Sequence, residues 1–166
     1  AILTSLKGKN PDVILLGGYA PQAGPMLRQM KSLGINAKLL GGDAICTAEL
    51  GKLAGEAATD TAFCAQGGAV LDKTTEGPAF KAKYKKRFNI DPDAYAPSFY
   101  DQTMFVGQSI QKAGSVDPVK VGAEIYKPSY KGMSGTFAFD EKGNHKGAPI
   151  TNHTFQAGEP SALGTY

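Results

Sequence analysis

Three apolar runs of this chain end at a pair of glycines, and a helical pattern follows each pair. The pairs are Gly17-Gly18, Gly41-Gly42 and Gly67-Gly68. They recur roughly every 25 residues, the length of one strand–helix unit with its loops. This alternation predicts an α/β fold with a parallel sheet and helices on both faces. Right-handed crossovers then place all three glycine pairs at the carboxyl edge of the sheet, where open α/β sheets bind ligands.

Local signals predict the individual elements. Val13–Leu16 is a continuous apolar run, typical of a strand buried on both faces. The helix after it is expected to end at Gly34, and the next helix to begin behind Thr47 as N-cap. A long helix is predicted from about Pro97 to Gly114, with apolar residues around much of its circumference, which suggests burial between layers. Asp117 is the predicted cap of the helix that follows.

The two ends of the chain carry weaker signals. Ile2, Leu3 and Leu6 resemble the tail of an amphipathic helix that has no start signal. Near the other end, Phe137 and Phe139 alternate as in a strand, and the turn residues of 140–144 predict a hairpin-type connection. A chain that begins inside a helix is expected to be a fragment of something longer.

Charge and composition narrow the partners. The 166 residues carry a net charge of +3, with 42% hydrophobic and 20% charged residues, which fits an ordinary globular domain. The basic residues cluster in Lys81–Phe88, where Phe80, Tyr84 and Phe88 share one helix face and the lysines take the others. This pattern indicates a helix whose lysine side chains are solvated and whose aromatic stripe is buried beneath them. No nucleic-acid partner is therefore expected.

Motifs of catalysis and cofactor binding are absent from the sequence. It contains no GxGxxG after the first strand, no GxxxxGK[ST] and no GxSxG. Two cysteines and two histidines lack the spacing of a zinc site. Asp140, Glu141 and His145 fall together in a turn and are interpreted as solvated charges. We therefore expect neither an enzyme nor a bound cofactor or metal.

Polar side chains directly follow two of the glycine pairs. Tyr19 offers a phenol that can donate to a carboxylate, and Asp43 offers a carboxylate that can pair with an ammonium. The helix starts behind them favour an anionic group. Together these groups suit a zwitterion such as a free amino acid. The alternatives are that Asp43 only caps its own turn and that Tyr19 is a rim aromatic with a hydrated hydroxyl.

The order of several stretches resembles the C-terminal half of the substrate-binding proteins of branched-chain amino-acid-type ABC importers, which are type I periplasmic binding proteins. The resemblance covers nearly the whole chain, and it rests on NPDVILLGGYAPQAGPMLRQMKSLG, KLLGGDAICT, AFCAQGG, YAPSFYDQTMFVGQSIQKAGS and GTFAFDEKGNHKG. It implies a Rossmann-like lobe of a two-lobed protein that closes on its ligand. It also implies a periplasmic location and a membrane permease as partner.

The same resemblance assigns the site. The family's tyrosine after the first glycine pair and its acid after the second correspond to Tyr19 and Asp43, with Asp43 expected to take the ligand's ammonium. Gly18 and Ala44 complete the expected ligand-binding set. Many members carry glutamate where this chain has Asp43, which leaves open which ligand side chain is preferred. An aromatic acid or a urea-like compound is the alternative to an amino acid, although Asp43 favours a ligand with an ammonium.

The resemblance also divides the chain into segments. Residues 1–94 would be second-lobe repeats, residues 95–131 helices that normally pack on the first lobe, and residues 132–166 strands that cross between lobes. Without the first lobe, weak ligand binding and self-association through uncovered apolar surface are expected. A ligand-sensing regulator or receptor domain on the same fold is a competing interpretation, and a flavodoxin-like enzyme is a third.

Cys46 and Cys64 are candidates for a disulfide. Cys46 lies just past the second glycine pair and Cys64 lies in the third apolar run. Neighbouring strands are about 4.8 Å apart, so the two sulfurs can approach bonding distance. Two reduced, buried thiols are the alternative.

Overall fold

The computed structural model describes residues 2–93, 95–127 and 129–166 and divides into two compact units. Unit 1 contains the chain up to Gly67 together with Ile150–Tyr166, and unit 2 is Gly68–Pro149. The predicted 1–94 segment has both its end residues, Ala1 and Ala94, outside the described part of the chain. The assignment of segments to lobes stays a prediction.

Six helices and seven strands make up the described chain. In chain order they are α1 (Ile2–Lys9), β1 (Val13–Leu16), α2 (Ala20–Leu33), β2 (Lys38–Gly41), α3 (Ala48–Ala54), β3 (Ala62–Gly67), α4 (Gly77–Phe88), α5 (Ala96–Ala113), α6 (Pro118–Tyr126), β4 (Tyr130–Lys131), β5 (Thr136–Phe137), β6 (Ile150–Gln156) and β7 (Glu159–Thr165). No helix among the described residues is long and apolar enough to cross a membrane.

Unit 1 is built on a five-stranded sheet in the order β1-β2-β3-β6-β7. The first three strands are parallel, whereas β6 pairs antiparallel with β3, and β7 antiparallel with β6. The predicted α/β fold is confirmed, and its sheet is mixed: parallel over β1–β3 and antiparallel where β6 and β7 join it. The third glycine pair differs from the other two, because the helix that follows it, α4, belongs to unit 2.

The side chains of the parallel strands alternate between two different environments. Ile14, Leu39 and Ala62 lie in the hydrophobic core with α2 and α3. Leu15 on the opposite face is 77% exposed. Two successive crossovers in the same direction along a sheet place both helices on one face. The expectation that Val13–Leu16 is buried on both faces is therefore wrong for the described chain.

At two places in unit 1, neighbouring elements pack so closely that only glycine fits between them. A Cβ on Gly24 of α2 would collide with Leu53 of α3. A Cβ on Gly51 of α3 would overlap the backbone of Gly158, in the turn between β6 and β7. Helix α3 can therefore pack closely against both α2 and the terminal hairpin only because glycine stands at these positions.

The predicted helix boundaries follow the local chemistry. The Thr47 hydroxyl accepts a hydrogen bond from the Leu50 amide at 3.4 Å, and the Asp117 carboxylate accepts one from the Val119 amide at 3.1 Å. Gly34 ends α2 in the left-handed conformation with φ 67°. The N-caps and this C-cap are thus confirmed.

Unit 2 packs three helices with the short β4–β5 hairpin. The buried Asp101 carboxylate of α5 accepts hydrogen bonds from the Met133 amide at 2.9 Å and from the Ser134 amide and hydroxyl at 2.6 Å. Phe105 stacks on Tyr130 with ring centroids 4.9 Å apart. A helix carboxylate and a stacked aromatic pair therefore fix the hairpin on α5.

Helix α5 buries a single stripe. The buried residues follow one another at every fourth position: Pro97, Asp101, Phe105 and Ser109. Phe99 on another side is 62% exposed. The expectation that α5 is buried around much of its circumference is not met within the described chain.

The predicted turn at 140–144 is present, and the bridge between Phe139 and His145 closes the expected hairpin-type connection.

A disulfide joins Cys46 to Cys64, with the two Cα atoms 5.6 Å apart. Both cysteines are only 1% exposed. Cys46 follows the 3-10 turn Asp43–Ile45 after β2, and Cys64 lies in the middle of β3. The bond therefore ties the turn after the second glycine pair to the neighbouring strand.

We expect Gly51→Ala to lower the free energy of unfolding by about 1–3 kcal/mol, because the new Cβ must displace the backbone of Gly158. Gly107→Ala is the matched control, since Gly107 lies inside α5 with no atom near the added Cβ. It should raise stability by about 1 kcal/mol through helix propensity. Urea unfolding followed by far-UV circular dichroism measures both. Equal effects of the two substitutions would contradict the described packing of α3.

Reduction of the disulfide should lower the free energy of unfolding by about 3 kcal/mol, because the bond closes a loop of 18 residues in the unfolded chain. Urea titrations with and without a phosphine reductant measure the difference. The control is the double variant Cys46→Ala/Cys64→Ala, whose unfolding should not respond to the reductant. An unfolding curve of the wild-type chain that reductant leaves unchanged would exclude a stabilising disulfide.

Candidate functional site

The carboxyl ends of β1 and β2 form the edge on which the predicted site residues lie. The two strands are parallel, and their last residues, Leu16 and Gly41, are partners in the register. Tyr19 and Asp43 follow these strand ends by three and two residues. Because paired parallel strands lie about 4.8 Å apart, the two loops leave the sheet side by side. The structure thus brings Tyr19 and Asp43 to the same edge.

Tyr19 is the N-cap residue of α2. Its backbone is extended, with φ −115° and ψ 167°, and its amide donates to the Gln22 side-chain oxygen at 3.2 Å. This bond satisfies one backbone donor at the helix entry and holds the local turn. The residue is 68% exposed, so its ring stands in solvent at the edge of unit 1. Its hydroxyl is accessible to a ligand.

Asp43 begins a short 3-10 turn and is exposed. Its backbone carbonyl accepts from the Cys46 amide at 2.9 Å, which closes the turn. The N-cap of the turn is Gly42, and no side chain caps it. Within the described residues, no hydrogen bond or ion pair of the Asp43 carboxylate is found. The carboxylate is therefore not used as a local cap and is accessible to an external cation.

Gly18 and Ala44 stand beside these two residues. A Cβ on Gly18 would lie 3.4 Å from the Leu16 side chain, which is an ordinary van der Waals contact. Ala44 is half-buried in the turn that Asp43 begins. Their predicted part in ligand binding stays a prediction, as do the roles of Tyr19 and Asp43.

Opposite electrostatic features meet at this edge. The α2 helix has fourteen residues and starts at Ala20, so its positive dipole end lies beside Tyr19. The Asp43 carboxylate supplies a negative charge two residues past β2. One edge therefore offers an anion-favouring helix end and a cation-favouring carboxylate, a combination that suits a small zwitterion.

Sequence reasoning missed one residue behind this edge, His153. Its Nδ1 lies 3.9 Å from the Cys46 sulfur, and it is the register partner of Cys64 across β3 and β6. Burial lowers the pKa of His153 below its ordinary value of 6.5, while a hydrogen bond to the Thr151 backbone acts in the opposite direction. The pairing of β6 with β3 joins residues about ninety positions apart, and no local signal announces it.

Unit 2 contains an open groove of about 620 Å³ between α4 and α5. Phe80, Tyr84 and Phe88 of α4 line it with Phe99 and Tyr100 of α5. The rings of Phe80 and Tyr84 are half-buried and that of Phe88 is exposed. The predicted solvated helix is present, but the aromatic stripe beneath it is only partly covered within the described chain.

Comparison with known proteins gives consistent matches. The model of the family described as "Periplasmic binding protein" matches residues 1–158. Leu/Ile/Val-binding protein homolog 1 of Brucella abortus is 30% identical over 167 residues, covering 100% of this chain and 43% of its own length. The leucine-, isoleucine-, valine-, threonine-, and alanine-binding protein of Pseudomonas aeruginosa is 29% identical, covering 91% of this chain and 40% of its own.

A solved structure agrees with the fold. The crystal structure of a leucine-binding protein, LivK, from Thermotoga maritima has a TM-score of 0.86 and 26% identity, and covers 98% of this chain and 47% of that one. The chain spans less than half the length of the proteins it matches. The parallel strands, their edge loops and these matches agree, and the chain belongs to the periplasmic binding protein family.

Proposed function

We propose that this chain supplies one side of an amino-acid-binding site in a solute-binding component of an ABC importer. The observation that carries the proposal is the exposed Asp43 carboxylate, which has no ion-pair partner among the described residues and lies at the same sheet edge as the start of α2. The proposal draws further support from relatives whose names state that they bind leucine, isoleucine and valine. A branched-chain or similar aliphatic amino acid is the proposed ligand.

Each group has a distinct part in this proposal. Asp43 pairs with the ligand's ammonium, since an ionised carboxylate accepts strong charge-assisted hydrogen bonds. The Tyr19 hydroxyl donates a hydrogen bond to the ligand's carboxylate. Gly18 and Ala44 have small side chains or none, which leaves space between the two loops for the ligand. A solute-binding component of this kind acts outside the cytoplasm and passes its ligand to a membrane permease.

Because this sheet edge is exposed to solvent, its contribution to ligand affinity is small on its own. An exposed ion pair contributes about 0–1 kcal/mol, whereas micromolar binding requires about 8 kcal/mol. The difference must come from removing water around the ligand and from further convergent hydrogen bonds. We therefore propose that the isolated chain binds amino acids only in the millimolar range, and that tight binding needs a second surface.

Titration of the 166-residue chain with leucine, followed by amide chemical shifts in NMR, should give a millimolar Kd. Asp43→Asn should weaken leucine binding by about two- to fivefold, because it removes an exposed ion pair of up to about 1 kcal/mol. Asp12→Asn is the matched control, since Asp12 is also exposed but precedes β1 at the opposite edge of the sheet. A low-micromolar Kd, or an equal effect of both substitutions, would contradict the proposal.

The same titration separates an amino acid from an aromatic acid or a urea-like ligand. Benzoate carries a carboxylate and no ammonium, so Asp43 should repel it and Asp43→Asn should tighten its binding. Urea is neutral and should respond weakly to the substitution. Leucine alone should lose affinity. A preference for benzoate in the wild-type chain would favour the aromatic-acid alternative.

For the isolated chain we propose self-association through apolar side chains that α5 leaves in solvent. They are Phe99, Tyr100, Met104 and Val106. Large exposed apolar surface is usually covered by a partner. Light scattering should show a mass that rises with concentration, and Phe99→Ser should reduce this rise. A single monomeric mass at high concentration would contradict the self-association.

A further inference from the structure

Three soft or borderline metal ligands converge in unit 1 at a place that amino-acid binding does not use. They are the sulfurs of Cys46 and Cys64 and a ring nitrogen of His153, all within 4.8 Å of one another. Both cysteines are buried and His153 is half-buried. The arrangement draws on three separate elements, since the residues come from the turn after β2, from β3 and from β6.

The β-sheet itself fixes two of the three ligands. Cys64 and His153 are directly opposite each other in the antiparallel register of β3 and β6. Opposite residues in such a pair project their side chains on the same face, about 5 Å apart. The disulfide then places the Cys46 sulfur beside them, 3.9 Å from Nδ1 of His153. Two such ligands of one tetrahedral ion lie about 3.5 Å apart, so the imidazole is within about 0.4 Å of that distance from one sulfur.

We propose that reduction of the Cys46–Cys64 disulfide creates a binding site for a thiophilic divalent cation of the zinc type, with Cys46, Cys64 and His153 as protein ligands. Zinc–sulfur bonds are about 2.3 Å and zinc–nitrogen bonds about 2.0 Å, so two sulfurs on one tetrahedral ion lie roughly 3.8 Å apart. After reduction, rotation of the two cysteine side chains separates the sulfurs to this distance. A water molecule occupies the fourth coordination position of the ion, on the side where His153 is partly exposed.

Reduction of the disulfide needs a two-electron donor, which is a dithiol or, in the experiment below, a phosphine that takes oxygen from water and leaves as the phosphine oxide while water supplies the two thiol protons. The dithiol transfers two electrons and two protons to the disulfide and leaves as its own disulfide, and the two cysteines become thiols. The cation then displaces both thiol protons and binds the thiolates and the neutral imidazole. The disulfide and the metal complex are therefore mutually exclusive states of the same three side chains.

This site is separate from the proposed amino-acid site. Asp43 is exposed and belongs to the loop edge, whereas the cysteines are buried behind it. The backbone link between the Cys46 amide and the Asp43 carbonyl places the two sites next to each other without any shared side chain. Metal binding and leucine binding therefore use different side chains of adjacent sites.

The probe for the experiment is Co²⁺, which reports thiolate ligation by charge-transfer absorption and tetrahedral geometry by its d–d bands. The 166-residue chain is reduced with a phosphine, desalted without oxygen and titrated with Co²⁺, and Zn²⁺ is then added. We expect saturation at one equivalent in the reduced chain, loss of the bands on adding Zn²⁺, and no bands in the oxidised chain. X-ray absorption of the zinc-loaded chain should find two sulfurs and one imidazole nitrogen.

His153→Ala should weaken Co²⁺ binding at least about tenfold, and His153→Asn, which keeps more of the side-chain volume, should do the same. His145→Ala is the matched control, because His145 is the other histidine and lies in unit 2. Far-UV circular dichroism checks the fold of each variant and of the reduced chain. A reduced chain without charge-transfer bands, one that unfolds and is not refolded by Zn²⁺, or sulfur-only ligation would overturn the proposal.

Discussion

The pairing of β1 with β2 is the interaction on which the rest of unit 1 depends. Its parallel register aligns Leu16 with Gly41, so the two strands end at the same level. The loops that follow must therefore leave the sheet side by side. A shift of this register by one residue would put Ile14 and Leu39 on opposite faces of the sheet and remove one of them from the core, and their joint burial opposes such a shift. The hydrophobic face of the sheet thus positions the polar side chains at its edge.

Much of this arrangement could be predicted from sequence because its causes are local. Gly34 ends α2 and Thr47 caps α3 through contacts that span only a few residues. Asp43 is also found by local reasoning, since its position follows from where an apolar run stops. The same holds for the Asp117 cap, which a proline directly follows. Chemistry carried within one turn of chain can be recognised from the residues alone.

Other features depend on contacts between distant segments and could not be predicted in this way. The turn between β6 and β7 places Ala157 and Gly158 at φ 51° and φ 80°, a conformation usually signalled by Asn-Gly rather than Ala-Gly. Without that turn, the β6–β7 pair cannot be derived, and the place of His153 beside the cysteines depends on the long-range pairing of β6 with β3. The exposure of Leu15 likewise depends on which face of the sheet receives both crossover helices.

The central claim is that the Asp43 carboxylate receives a ligand ammonium, and it is tested most directly by removing the ammonium from the ligand. The measurement is an NMR titration of the Asp43 side-chain carboxyl carbon with leucine and, separately, with 4-methylpentanoate, which keeps the carboxylate and the branched chain. The account predicts that leucine shifts this resonance and binds more tightly, whereas 4-methylpentanoate leaves the resonance in place. Equal affinities, or an Asp43 signal that neither ligand moves, would contradict it.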